Sequence, residues 1–318
     1  MIMSSQNILV TIRCATFNHG QYIRQTLDGF VMQKTNFAFE AIVHDDASTD
    51  NTADIIREYA EKYPDIIKPF FEKENQYSKG GKEIDRIFEE NSHGKYMVIC
   101  EGDDFWTDPM KLQKQVDFLE AHPDYNLCCH NWDIIQDGQI LPSPIDGKYP
   151  KAFSFTFATL PWIWITKTVT TMYRASAVID NKILHEYKYA RDVHLVYYAL
   201  KSGKGYYMPE VMATYRMHSG GVWSKIDINE RNKTTYNLYK ELYQHEPNKA
   251  VRKRYMNATL AYFNGLAFGK KTWWHIRKNT KLYFEALRNI SDAKDIIFCL
   301  GGLVHPDLVK WVMHKFRI

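Results

Sequence analysis

The chain has 318 residues, 45% of them hydrophobic and 25% charged, with a formal net charge of +4. The apolar and aromatic content excludes a disordered chain and is enough to bury a sizeable core. The net charge hides an asymmetry: residues 1–224 carry 23 Lys and Arg against 29 Asp and Glu, a net of −6, while residues 225–318 carry 18 against 8, a net of +10.

Strand and helix signals alternate over the first 105 residues. Residues 8–14 (ILVTIRC) form a short apolar, β-branched run broken by Asn18-His19-Gly20. Tyr22, Leu27, Phe30 and Val31 then recur at helical spacing. Residues 39–44 (FEAIVH) predict a second strand, stopped by Asp45-Asp46. Ser48, Thr49 and Asp50 offer N-caps to a helix with Ile55, Ile56 and Tyr59 on one face. Residues 66–71 predict a third strand, and Gly80-Gly81 opens a helix through Ile84, Ile87 and Phe88. Residues 96–100 (YMVIC) predict a fourth strand ending at Glu101-Gly102-Asp103-Asp104. Thr107-Asp108-Pro109 starts a helix that runs to about Ala121. Residues 125–180 read as irregular, 192–201 as a helix, 206–216 as a strand, and everything from Asn229 onward as helical, basic and aromatic. This alternation predicts an α/β chain with a mostly parallel sheet and helices on both faces. Such sheets bind ligands at the carboxyl ends of their strands. Here those ends are Ala15-Thr16-Phe17-Asn18, Asp45-Asp46 and Asp103-Asp104, three polar clusters expected on one edge.

Five cysteines, two of them adjacent and none in a CxxC spacing, point away from a disulfide framework or a structural zinc site and towards a reducing cytosol. The first residues lack a basic stretch followed by a long apolar run, so no signal peptide is expected. No segment approaches the ~20 apolar residues of a spanning helix. The absence of G-x-x-x-x-G-K-[ST], H-E-x-x-H and G-x-S-x-G argues against a P-loop NTPase, a zincin and an α/β-hydrolase.

Two clusters carry chemistry. Carboxylates spaced by one residue after a buried strand, as in Glu101-Gly102-Asp103-Asp104, can hold Mg2+ or Mn2+ against the oxygens of a diphosphate, or simply cap the next helix. An Asp at the end of the second strand can accept a hydrogen bond from a base N–H, while Ser48, Thr49 and Asp50 serve as caps.

In order and spacing, Ala15-Thr16-Phe17-Asn18, Asp45-Asp46-Ala47-Ser48-Thr49-Asp50, Glu101-Gly102-Asp103-Asp104, Arg191-Asp192 and Tyr215-Arg216-Met217-His218 resemble the motifs of family 2 glycosyltransferases of the GT-A fold. The resemblance covers about residues 7–224. It implies a GT-A catalytic domain over 1–224, with a nucleotide-binding half (1–105) and an acceptor-binding half (106–224), and a basic helical extension over 225–318. It further implies that Thr16, Asn18, Asp45 and Asp46 bind the nucleotide, with Thr16 and Asp46 at the base and Lys79 or Lys82 on the base side. Asp104 would be the direct metal ligand, Asp103 would bind the ribose or the metal, and His218 would lie near the metal or the diphosphate. Asp192 would be the general base, with Arg191 in place of its usual Glu companion. Glu101 stands where the family often has Asp, which keeps a carboxylate but lengthens it. Trp162, Trp164 and Trp223, with Arg191, are candidates for the sugar and acceptor side. The implied activity is metal-dependent, inverting transfer from a nucleotide-sugar, with UDP the expected nucleotide, to a glycan or lipid-linked hydroxyl in cell-surface polysaccharide synthesis. Mg2+ or Mn2+ would be the cofactor. The competing readings are a nucleotide-sugar-binding protein without transferase activity, and a nucleotidylyltransferase, whose glycine-rich basic loop after the first strand is missing here. A processive synthase would carry Gln-x-x-Arg-Trp, which is absent.

The basic tail interleaves cations with aromatics: Arg252-Lys253-Arg254, Lys270-Lys271 with Trp273-Trp274, then Trp311, Lys315, Phe316 and Arg317. That pattern suits an anionic membrane surface. The expected location is cytoplasmic, peripheral on the inner face of the membrane, with no nucleic-acid partner. The alternative is a helical extension with a solvated basic face.

Overall fold

The computed structural model describes residues 7–161, 164–178, 186–189, 192–221, 226–267 and a few positions between 282 and 289. The chain divides into two compact units, Met1–Lys182 with Asp192–His218, and Ile183–Arg191 with Ser219–Ile318.

The first unit is built on a sheet of ten described strands: β1 (Ile8–Thr16), β2 (Ala38–Asp45), β3 (Ile67–Phe71), β4 (Tyr96–Ile99), β5 (Phe105–Trp106), β6 (Tyr125–Gln136), β7 (Gln139–Pro142), β8 (Phe153–Phe155), β9 (Met172–Arg174) and β10 (Lys204–Met217). Their order is β3-β2-β1-β4-β9-β6-β10-β5, with β7 on β6 and β8 on β10. The first four strands run parallel, as the alternation predicts. Beyond them the sheet is mixed: β9 is antiparallel to β4 and β6, while β6 and β10 run parallel. The helices are α1 (Ile23–Val31), α2 (Thr52–Lys62), α3 (Lys82–Asn91), α4 (Lys111–Ala121) and α5 (Asp192–Ser202).

Periodicity explains the packing. Val10, Ile12 and Cys14 alternate along β1 and are fully buried in one cluster with Ile23, Leu27 and Phe30 of α1, Ile55, Ile56 and Tyr59 of α2, and Leu112, Val116 and Leu119 of α4. Ile42 of β2 packs instead with Ile87 and Phe88 of α3. No described helix is long and apolar enough to cross a membrane. The four described cysteines are buried and unbridged.

The stretch read as irregular holds β6, a twelve-residue strand in the middle of the sheet. Its buried run includes Asn126, His130 and Asn131, which break the apolar pattern. The two asparagines are satisfied by other segments: Asn126 Nδ2 donates to Ala199 O at 3.0 Å, and Asn131 Oδ1 accepts from Ser143 Oγ at 2.6 Å; His130 Nδ1 lies 2.7 Å from Asn131 O, and its Nε2 has no partner.

α4 begins at Lys111, two residues after the expected proline start. Lys111 is fully buried; its Nζ donates to Gln115 Oε1 at 2.7 Å and lies 4.2 Å from the Trp106 ring centroid. Burial pushes its ammonium down to about 7. Between about pH 7 and the ordinary lysine value near 10.4, the unfolded chain binds a proton that the folded chain does not. Stability therefore rises with pH across that window, by at most about 1.4 kcal/mol per unit, and the contribution is flat below it. Urea midpoints between pH 7 and 9 should climb in the wild type, and Lys111→Met should remove the slope. An unchanged slope in the variant would assign it to other groups.

In the second unit, α6 (Ile228–His245) is capped by Asp227, whose Oδ1 accepts from Asn229 N at 2.7 Å and Glu230 N at 3.1 Å. It pairs with α7 (Lys249–Ala267). Glu241 of α6 accepts the backbone N–H groups of Lys188 and Tyr189, each at 2.9 Å. Glu285 accepts from the hydroxyls of Tyr236 and Tyr255. Residues 268–281 and the tail beyond 289, which between them carry both tryptophan–lysine clusters assigned to a membrane surface, lie outside the described residues.

Candidate active site

Because β1, β2 and β4 are parallel neighbours, their carboxyl ends share an edge, and the three polar clusters meet there. Thr16 pairs with Asp45, Asp46 N donates to Thr16 O at 2.9 Å, and Gly102 N donates to Ala15 O at 3.0 Å.

The turns after β1 and β2 are stitched to each other. Asn18 adopts a left-handed φ of 52°, which a short polar side chain tolerates. Its N–H donates to Ser48 Oγ and its Oδ1 accepts from Thr49 N, both at 2.8 Å. Gly20 N donates to Asp50 Oδ2 at 2.9 Å, and a Cβ on Gly20 would come within 1.9 Å of Asn51 Oδ1. Asn18, expected at the nucleotide, thus fastens the two turns together. Asp45 turns its carboxylate onto Ser48, accepting from both the hydroxyl and the amide. Asp46, expected at the base, accepts Gln76 N at 2.6 Å on one oxygen and Tyr77 N at 3.0 Å on the other. It holds the loop that carries Lys79, whose ammonium pairs with Glu74. Lys82 opens α3. Thr16 is 3% exposed, and its Oγ1 has no hydrogen-bond partner.

The acidic loop is braced from three sides. Thr26 of α1 donates to the carbonyls of Gly102 and Asp104 at 3.0 and 2.7 Å. Thr168 Oγ1 donates to Glu101 Oε2 at 2.9 Å. Arg216 of β10 gives its backbone N–H to Asp104 Oδ1 and its Nε to the Asp103 carbonyl, both at 2.8 Å. The guanidinium also stacks over Tyr22, 4.6 Å from its centroid. Nothing in the residue pattern marked Arg216 as the anchor of this loop. Burial pushes the Glu101 carboxyl up to about 7, with the negative charge of Asp103 adding to the effect and Asp192 contributing. The Asp104 carboxyl is likewise pushed up by burial, then by Asp103 and Glu101. Such crowding of desolvated carboxyls favours a cation.

A donor set for one exists. His218 Nε2 lies 2.9 Å from Asp103 Oδ2, and His19 Nε2 lies 3.8 Å from the same oxygen. One ligand atom from each of the three residues falls within 4.8 Å of the others, the single such group among the described residues. Burial lowers the proton affinity of His19, favouring the neutral imidazole that ligates metals. The set fits a divalent cation. It differs from expectation in one member: Asp104 is tied to the Arg216 amide and stands outside the group, while His19, read from the sequence only as part of a strand break, stands within it.

Asp192 is the first residue of α5, where its Oδ1 accepts from Val193 N at 2.9 Å. It is close enough to Glu101 and Tyr173 to raise the proton affinity of both. Trp164 is half-buried, with its indole N–H inside and without a partner. Trp162, Arg191 and Trp223 lie outside the described residues.

The family model for glycosyl transferase family 2 matches residues 11–187. The uncharacterized protein Rv1520 of Mycobacterium tuberculosis is 35% identical over 226 residues, 70% of this chain but only 62% of that protein's length. The putative glycosyltransferase EpsE of Bacillus subtilis is 27% identical over 315 residues, 97% of this chain and 92% of its own. Among solved structures, Staphylococcus aureus TarS 1–349 in complex with UDP-GlcNAc superposes with a TM-score of 0.65 at 16% identity, covering 98% of this chain and 92% of that one. The mannosyltransferase PcManGT of Pyrobaculum calidifontis, in complex with GDP-Man and Mn2+, gives 0.58 at 16%, covering 98% and 87%. These two likenesses speak for the fold, an α/β architecture with C-terminal helices. With the family model matching more than half of its length and the motif residues gathered on one sheet edge, the chain belongs to glycosyltransferase family 2.

Proposed function

We propose that this chain transfers a sugar from a nucleotide-sugar to an acceptor hydroxyl with inversion at the anomeric carbon. The observation that carries the reading is the convergence of three strand ends on a cation-competent cluster of Asp103, His19 and His218. The donor's base and ribose fit the edge formed by Thr16, Asp45 and the loop held by Asp46, with Lys79 or Lys82 on its base side. The diphosphate fits beside Asp103 and His218. A divalent cation, Mn2+ or Mg2+, held by Asp103 and His218 with His19, would offset the charge that develops on the leaving diphosphate. Asp192 takes the proton of the attacking hydroxyl. Glu101, held by Thr168, keeps a second carboxyl beside it. One base and one in-line displacement give inversion.

The complexes of TarS with UDP-GlcNAc and of PcManGT with GDP-Man support a nucleotide-sugar donor. UDP is our choice of nucleotide. The resemblance to a B. subtilis protein named as a putative teichuronic acid biosynthesis glycosyltransferase (31% identical over 117 residues) supports a glycan or lipid-linked acceptor in cell-surface polysaccharide synthesis. The basic, aromatic tail would keep the enzyme at an anionic membrane surface. A panel of UDP-, GDP- and dTDP-sugars with Mn2+ tests the reading. The cognate donor should raise the melting temperature by mass action and be hydrolysed slowly without acceptor. No shift with any of them would overturn it.

A further inference from the structure

We propose that Glu241 of α6 is a positioning residue for Asp192: it grips the chain just ahead of that aspartate and so sets where the proton acceptor stands. The proposal rests on the transferase reading above and deepens it by naming a residue of the C-terminal unit on which the transfer step depends.

The path of the chain carries the first part of the case. The chain leaves the first unit after Lys182 and returns to it at Asp192, while Ile183–Arg191 belongs with Ser219–Ile318 to the second unit. Asp192 is therefore the point of re-entry. It follows Tyr189 by three positions, so their Cα atoms lie no more than about 11 Å apart. Whatever fixes residues 187–189 limits where the first residue of α5 can stand.

Two side chains of α6, one turn apart, do the fixing. Glu241 accepts the Lys188 N–H on one carboxylate oxygen and the Tyr189 N–H on the other, each at 2.9 Å. His245 lies four residues on and so shares that face of the helix, and its ring packs against Tyr187 with 4.6 Å between centroids. Tyr187 is buried although Lys188 beside it is exposed. Hydrogen bonds to a carboxylate are stronger than those between neutral groups. With both oxygens engaged on consecutive amides, the segment cannot swivel about either bond.

The helix that carries the grip is itself anchored within its unit. Leu238 and Leu242, on either side of Glu241, are buried. The hydroxyls of Tyr236 on α6 and Tyr255 on α7 both donate to Glu285, and Lys240 Nζ donates to the Tyr236 hydroxyl at 2.9 Å.

The chemistry at the other end is sensitive to placement. A general base must come within hydrogen-bond reach of the proton it takes, and a misplacement of about 1 Å can cost on the order of 10²-fold in rate. The Val193 N–H orients the Asp192 carboxylate on the first turn of α5. Glu241 holds the chain that enters that turn.

The test uses the full-length protein with Mn2+ and the radiolabelled UDP-, GDP- and dTDP-sugar panel, reading hydrolysis to free sugar and nucleoside diphosphate with water as acceptor. Glu241→Ala should lower kcat at least tenfold while donor KM and the donor-induced melting shift stay within about twofold. Glu241→Gln keeps one acceptor oxygen, guards against a folding failure and should fall between Glu241→Ala and wild type. In an Asp192→Asn background, Glu241→Ala should cost no more than about a further twofold, because it acts through Asp192. Amide hydrogen exchange at positions 188, 189 and 193 should quicken in Glu241→Ala. Wild-type kcat in the folded Glu241 variants, unchanged exchange, or a full tenfold further loss in the Asp192→Asn background would each overturn the assignment and leave the transferase reading standing. A loss of donor affinity as large as the loss of kcat would also overturn it, since Glu241 would then only hold the fold together. No donor bound or hydrolysed by the wild type would sink the transferase reading and this proposal with it.

Discussion

Asp192→Asn should lower sugar transfer by roughly 10²–10⁴-fold, the range that general-base catalysis contributes, and leave donor affinity within about twofold. The substitution keeps the shape of the side chain and one oxygen able to accept the Val193 N–H, so the start of α5 stays intact. It removes the negative charge and with it the capacity to take a proton. On the proposed reading Asp192 takes the proton from a position close enough to the half-buried Glu101 carboxyl to raise its proton affinity. Single-turnover transfer rates and a donor titration measure the two quantities separately. Normal turnover in the variant would return Asp192 to the role of a helix-terminal residue.

Gly102→Ala should cost about 1–3 kcal/mol of stability, the usual penalty of overpacking, and weaken donor binding at least about tenfold. A Cβ on Gly102 would stand 2.5 Å from Thr16 Oγ1 and 2.6 Å from Thr16 Cβ. Neither atom belongs to a flexible chain end: Thr16 is β-branched, nearly buried and set in the β1 ladder. The acidic loop must therefore move, and Asp103 moves with it. Denaturant midpoints and donor titrations measure the two losses. A double variant with Thr16→Gly should recover stability relative to Gly102→Ala, because the clash is pairwise. Wild-type donor affinity in Gly102→Ala would mean that the loop tolerates the shift and its placement is not critical.

The parts of the fold legible in the sequence are those where burial and alternation coincide. β1, β2 and β4 are short apolar runs ended by polar clusters, so both the strands and the site at their ends could be read. β6 could not, because buried polar residues interrupt its apolar pattern, and a partner such as Ala199 for Asn126 lies far away in sequence. Within the site, residue type revealed which side chains carry charge but not what they hold. Asp46 looks like a ligand-binding carboxylate and spends both oxygens on backbone amides. His19 looked like punctuation until the turn after β1 brought it to Asp103. Arg216 makes its decisive bonds more than one hundred residues away along the chain, to Asp103 and Asp104, a separation no local pattern encodes.

The tether between Asp46 and the loop after β3 carries a wider consequence. A side chain grips main-chain amides at positions 76 and 77, so the grip accepts any amino acid there except proline, which lacks the N–H. The exposed residues of the loop can be exchanged without loosening its anchor. On the proposed reading, in which this loop lines the base side of the donor, such a segment is a natural place for descendants of one scaffold to diverge in the donors they accept. It is equally the place where an engineer would begin to alter that preference.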